Sequence, residues 1–119
     1  MTMNIRKGVT TMDRATKYLI NLLGLVNPAR ARDLATKTLF DLIHENSLTR
    51  DDLSYLIAAG ADINDSDKNG YTPLMQICSS TSLAHLIPDF IAFEADVNAS
   101  RPGGYTPLRI LLSNGNSYP

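Results

Sequence analysis

A chain of 119 residues has room for one ordinary hydrophobic core, which excludes a multidomain enzyme. With 44% hydrophobic and 19% charged residues it is too apolar for a disordered tail. Eleven Lys and Arg against twelve Asp and Glu leave a net charge of −1, so no basic field draws in nucleic acid or an anionic membrane. No apolar run approaches the roughly 18 to 20 residues that cross a bilayer, and Met1 to Gly8 lacks the apolar stretch of a secretory signal. The expectation is a soluble chain in a cytoplasm. A single cysteine, Cys78, excludes an internal disulfide, and with only two histidines no clustered zinc site is expected, nor any other cofactor.

In chain order, Met12, Ala15, Leu19, Leu22, Leu23 and Val26 recur at helical spacing and predict an amphipathic helix from about residue 11 to 25. Asn27-Pro28 ends it and starts a second helix, Ala29 to Asn46, with Leu34, Ala35, Thr38, Leu39, Leu42 and Ile43 on its apolar side. Thr49 is placed to cap a third helix, Asp51 to Ala59, whose first turn is acidic, and Gly60 fits a left-handed C-cap. Asp67-Lys68-Asn69-Gly70 is a turn between an extended Ile63 segment and the next helix, which Thr72 caps and Pro73 opens. Pro88 then falls where another helix is expected. A proline inside a helix forfeits one backbone hydrogen bond at a cost of about 3 kcal/mol, so the segment from Leu83 to Phe93 should kink or start its helix late. Arg101-Pro102-Gly103-Gly104 is a second turn, and Thr106-Pro107 opens a last helix carrying Leu108, Ile110, Leu111 and Leu112.

These signals repeat. Ala61-Asp62-Ile63-Asn64 returns as Ala95-Asp96-Val97-Asn98, and Gly70-Tyr71-Thr72-Pro73-Leu74 as Gly104-Tyr105-Thr106-Pro107-Leu108, both 34 residues on (95−61 and 105−71). One interval earlier, Thr38, Phe40, Ile43, Leu53, Leu56 and Ile57 stand opposite Thr72, Leu74, Ile77, Ile87, Phe90 and Ile91. The units are residues 37–70, 71–104 and a truncated 105–119, preceded by a helical segment, 1–36, suited to cap the array. Over roughly residues 37–112 the pattern resembles the ankyrin repeat, although its period is one residue longer than the family's usual length of about 33. The fold class the resemblance implies is an all-α solenoid of helix-turn-helix repeats with short extended turn segments, in one continuous domain. Gly60, Gly70, Thr72, Pro73, Gly104, Thr106 and Pro107 are its structural positions here. The chain departs from the family at Met75 and Arg109, where a histidine is usual, and at Glu94, which replaces the glycine found at Gly60. Glu94 costs about 1 kcal/mol if the left-handed geometry persists; otherwise the exit path differs.

Ankyrin arrays bind proteins through their turn tips and the exposed side of each first helix. Carried over by position, that face is Ser66, Asp67, Lys68 and Asn69 on one tip, and Ser100, Arg101, Pro102 and Gly103 on the next, with Gln76, Ser79, Arg109 and Ser113 along the helices. The resemblance thus implies a non-enzymatic protein–protein interaction module acting as an adaptor, inhibitor or targeting segment. The alternative is a recruiting or structural segment of a larger enzyme, or of a secreted effector that engages a host protein. After Leu112 the chain turns polar in mid-repeat, so the C-terminal edge calls for cover by further protein, a partner, a second copy, or a folded-back tail carrying Tyr118.

Other constellations carry less. His44 and Cys78 are one period apart on helices expected to pack about 8 to 10 Å from axis to axis, but nothing nearby orients a base or supplies an oxyanion pocket, and a buried cysteine is the simpler reading. Asp62, Asp65 and Asp67 lack the loop glycine and terminal glutamate of a calcium site and read as solvated surface. Gly103-Gly104 lacks the spacing of a phosphate loop, and Asn98-Ala99-Ser100 fits the glycosylation pattern by accident in a chain without a secretory signal. Lys68 and Arg101 occupy equivalent tips and could meet an acidic partner, although exposed basic residues are usually just solvated.

Overall fold

A computed structural model describes residues 13–113. Among these residues the structure is helical and contains no strand: α1 (Arg14–Val26), α2 (Pro28–His44), α3 (Arg50–Ala58), α4 (Pro73–Cys78), α5 (Ile87–Ala92, entered through a 3-10 turn, Ala84–Leu86) and α6 (Pro107–Ser113). No helix among them is long and apolar enough to cross a membrane. The chain divides after Asp62 into two compact units.

In the first unit, Asp13 caps α1 by accepting from the Thr16 backbone N–H at 2.8 Å. That backbone bond, with the Thr16 side chain, holds the Asp13 carboxyl below its ordinary value. Asn27 both ends α1 and begins α2: its N–H donates to the Leu23 carbonyl at 2.6 Å, while its side-chain oxygen accepts from Arg30 N at 3.2 Å, and Pro28 sits where no helical N–H is needed. α2 runs unbroken across residues 36 and 37, where the cap was expected to meet the first repeat. It packs against both α1 and α3. Ala31, Ala35, Leu39, Leu42 and Ile43 are buried, together with Leu48, Leu53 and Leu56. Leu34 and Thr38, expected on the same apolar side, are half-buried. Thr36 is buried without an unpaired hydroxyl, because it donates to the Arg32 carbonyl and accepts from Asp62 N, both at 2.9 Å.

The buried side of α1 differs from the expected one. Ile20 alone is fully buried, whereas Leu19 is 49%, Leu22 44% and Val26 79% exposed; Met12 lies outside the described residues. Tyr18, Leu19, Ile20, Leu22, Leu23, Leu25 and Val26 put apolar side chains nearly all round this helix, so periodicity alone does not choose a face. Tertiary contacts choose it. The Tyr55 hydroxyl of α3 lies 3.0 Å from the Lys17 carbonyl and 2.8 Å from Asn21 Oδ1, and the Lys17 ammonium sits 5.4 Å from the Tyr55 ring centroid.

In the second unit the core is Ile63, Leu74, Met75, Ile77, Cys78, Leu83, Leu86, Ile87, Phe90, Ala95 and Ile110. Pro88 acts as anticipated: the chain makes a 3-10 turn through Ala84–Leu86 and α5 starts only at Ile87, leaving the proline in its first turn. The Ile63 segment, read as extended, lies in a turn at 63–64.

Several local hydrogen bonds recur at the spacing of the sequence motif. Ala61 N donates to the Leu56 carbonyl at 2.9 Å, and Ala95 N to the Phe90 carbonyl at 3.0 Å. Gly60 and Glu94, at equivalent positions, both take positive φ, 98° and 69°. Glu94 therefore keeps the left-handed exit that glycine allows at Gly60, at a cost of about 1 kcal/mol. Asn64 fastens the exit after α5, accepting from Asp96 N at 2.7 Å and donating to the Glu94 carbonyl at 3.2 Å.

Candidate functional site

The two turns of the second unit close in the same way. Asp67 N donates to Tyr71 O at 2.9 Å and Gly70 N to Asp67 O at 2.9 Å; Arg101 N donates to Tyr105 O and Gly104 N to Arg101 O, both at 3.0 Å. Each turn runs straight into a capped helix, Thr72 Oγ1 accepting from Met75 N and Thr106 Oγ1 from Arg109 N, both at 3.3 Å, with Pro73 and Pro107 next in the chain. Two short helices that pack together, α4 and α6, thus start from equivalent turns.

A groove of about 410 Å³ lies here, lined by Tyr71, Gln76, Ser79, Arg101, Tyr105, Ile110 and Ser113. Gln76, Ser79, Arg101 and Ser113 are four of the residues expected to meet a partner. The two tyrosines were met only as repeat markers, and they are what organises the groove. The Arg101 guanidinium lies over the Tyr71 ring at 4.3 Å and 5.7 Å from the Tyr105 centroid, while Arg109 lies over Tyr105 at 4.8 Å. Arg101 Nε also donates to the Asn69 carbonyl at 3.3 Å. Arg101 is accordingly half-buried and held, whereas Lys68, its counterpart among the tip cations, is exposed.

Asp67 is likewise engaged. Its Oδ1 accepts from Asn69 N at 2.8 Å and Tyr71 N at 3.0 Å, and its Oδ2 from Gln76 Nε2 at 2.9 Å. The carboxylate therefore knits its own turn to α4. Asp96 does the same on a smaller scale, accepting from Asn98 N at 2.9 Å. Ser66, Asn69 and Ser100 are exposed on the tips, as are Pro102 and Gly103; Ser79 and Arg109 are exposed on the helices, and Ser113 with them.

His44 is exposed in the last turn of α2, and Cys78 is buried in α4 at 3% exposure. Burial pushes the Cys78 thiol up to about 11, which leaves roughly one part in ten thousand as thiolate at neutral pH. Because the folded value is raised, its contribution to stability is complete below the ordinary thiol value and is lost as pH rises towards 11. Between about pH 9 and 11 the unfolded chain should ionise this thiol while the folded chain keeps it protonated. Melting temperature should fall across that window, and more steeply for the wild type than for Cys78→Ala, although the variant starts lower by a cavity cost of about 1 kcal/mol. Parallel pH profiles for the two proteins would contradict the assignment.

Among the described residues no group of three or more His, Cys, Asp or Glu side chains is arranged to hold a metal ion. No protein-family model matches the chain, and no curated protein matches it significantly.

Proposed function

We propose that the chain is a non-enzymatic protein-binding module of the ankyrin-like solenoid type, which meets its partner through the tips of the turns and the exposed sides of α4 and α6. The observation that carries this reading is the pair of identically closed turns at Asp67–Tyr71 and Arg101–Tyr105, each handing the chain to a Thr-Pro-capped helix 34 residues apart (105−71). Repetition of one unit displays equivalent loops side by side, which is how repeat proteins build an extended binding face. The polar, mixed-charge side chains on these loops favour selection by electrostatics and hydrogen bonding over a large apolar patch. With two tips the footprint is small, and affinity nearer micromolar than nanomolar is expected, as for interfaces below about 1,200 Å².

The exposed Leu108 (62%) and Leu112 (67%), one turn apart on α6, favour a second reading, in which this edge is the part that another polypeptide covers. Affinity capture with mass spectrometry separates the two. A tip variant, Lys68→Glu with Ser100→Arg, changes only exposed side chains; an edge variant is Leu108→Glu with Leu112→Glu; Leu25→Glu on α1 is the control. A partner kept by the control and the edge variant but lost by the tip variant is the expected result. Loss confined to the edge variant would move the interface to α6, and retention by all three would overturn both readings.

A further inference from the structure

We propose that the chain pairs with a second copy of itself through α1, the ridge of Tyr18, Leu22 and Val26 on each copy lying in the groove between α1 and α2 of the other. This surface belongs to the first unit and is separate from the turn tips, which belong to the second. α1 buries one side chain fully, Ile20, and turns most of its other apolar ones outward. The polar Lys17 and Asn21 lie toward α3 instead, the first with its ammonium 5.4 Å from the Tyr55 ring centroid and the second with its Oδ1 2.8 Å from the Tyr55 hydroxyl. Outward stand Leu19, Leu22 and Val26, which the sequence pattern assigned to a core, and with them Tyr18 at 67% exposure. At 3.6 residues per turn these four project within about 100° of one another, as a single face. A unit that ends a repeat array turns a polar outer face to solvent. This one presents an apolar face.

Shape is the first reason for a second copy. Tyr18, Leu22 and Val26 follow one another at four-residue steps and form a ridge. Beside it, Leu19 and Leu23 of α1 and Leu34 of α2 line a groove of about 730 Å³, together with Arg30, Asp33 and Lys37. Ridges of this spacing pack into grooves between side-chain rows. Because ridge and groove lie side by side on one copy, a twofold axis between them fills both grooves at once, which is the self-complementarity of an isologous dimer. Area is the second reason. The face exposes roughly 500 Å² of apolar surface, toward the upper end of what a monomer leaves in one patch. Two such faces brought together cover about 1,000 Å², where specific interfaces begin, so the pair should form in the micromolar range. Charge agrees. Lys37 is paired with Asp41 at 2.9 Å, and Arg30 stands one turn from Asp33, so the border holds both signs in equal number. A border of that kind lets a reversed copy bring acid to base, and offers no positive field to an anionic lipid surface. Leu25, 83% exposed, lies on the edge of the apolar sector away from the groove and stays at the rim.

The test is sedimentation velocity of the full chain from about 1 to 300 µM, a range that spans the expected affinity, with amide spectra of the isotope-labelled protein recorded on dilution. A reversible monomer–dimer equilibrium is expected, in which dilution moves the amides of Tyr18, Leu19, Leu22, Leu23 and Leu34. Leu22→Glu and Val26→Glu should each weaken pairing more than about tenfold while circular dichroism stays that of the folded chain, and Leu25→Glu should weaken it less than about threefold. Val26 is the most exposed side chain of the ridge, at 79%, so a loss of pairing there is not a loss of folding. A monomer at every concentration, a dimer that survives Val26→Glu, a dimer dissolved only by Leu108→Glu with Leu112→Glu, or assembly that continues past two copies would each overturn the proposal. So would a wild-type monomer that sediments with phosphatidylcholine and phosphatidylserine vesicles and loses them on Val26→Glu, which would make this face a lipid-binding one.

Discussion

Replacing Phe90 by Ala is expected to cost about 3 to 5 kcal/mol of folding stability. Phe90 is fully buried at 0% exposure in α5, a helix of six residues that has little stability of its own. Short helices of this kind persist because their side chains fill a common core, here with Leu74, Ile77 and Leu86 buried in the same unit. Removing the ring loses its transfer free energy and leaves a cavity that a neighbourhood of short helices closes only in part. The adjacent Ile91 is a built-in comparison. It is 50% exposed, so Ile91→Ala should cost under about 1 kcal/mol. Urea unfolding followed by circular dichroism measures both, and a Phe90→Ala loss no larger than that of Ile91→Ala would show that the ring does not hold the core.

Asp67→Ala should cost about 2 to 3 kcal/mol, far more than a substitution at an ordinary turn tip. The carboxylate gathers three donors, two backbone amides of its own turn and the Gln76 amide of α4. All three lose a charged acceptor at once. Asp67→Asn keeps an oxygen for the two amides and should recover about half of the loss, whereas the exposed Lys68→Ala next to it should change stability by less than about 0.5 kcal/mol. Thermal and urea unfolding of the three variants would test this ordering, and a neutral Asp67→Ala would mean that the turn is held by its backbone pair alone. The equivalent turn makes the contrast physical. Arg101 stands where Asp67 does, and there Gly103 and Gly104, both at positive φ, permit the same closure without a carboxylate, while stacking on Tyr71 holds the arginine. The two turns share a shape but are stabilised differently. Position 67 is structural, and position 101 is free to present charge.

Local signals were legible because their causes are local. Thr49, Thr72 and Thr106 cap the helices that follow them, Gly60 exits through positive φ, and Pro88 delays a helix, since each effect is decided by a few neighbouring residues. The site was legible only in outline. Tyr71 and Tyr105 were visible as repeat markers, but stacking on Arg101 joins residues about one repeat apart, and no spacing rule assigns that contact. Asp67 was grouped with solvated acids because its Gln76 partner, nine residues on, becomes a neighbour only when the turn folds back onto α4. The sequence by itself determined that this is a helical chain with a 34-residue period (95−61), and where most of its helices begin and end. Only the tertiary structure decided which side of α1 is buried and which of the tip charges are engaged. Periodicity and capping follow from nearest neighbours along the chain, whereas a face of a leucine-rich helix and the partner of an arginine are chosen by whatever packing brings against them.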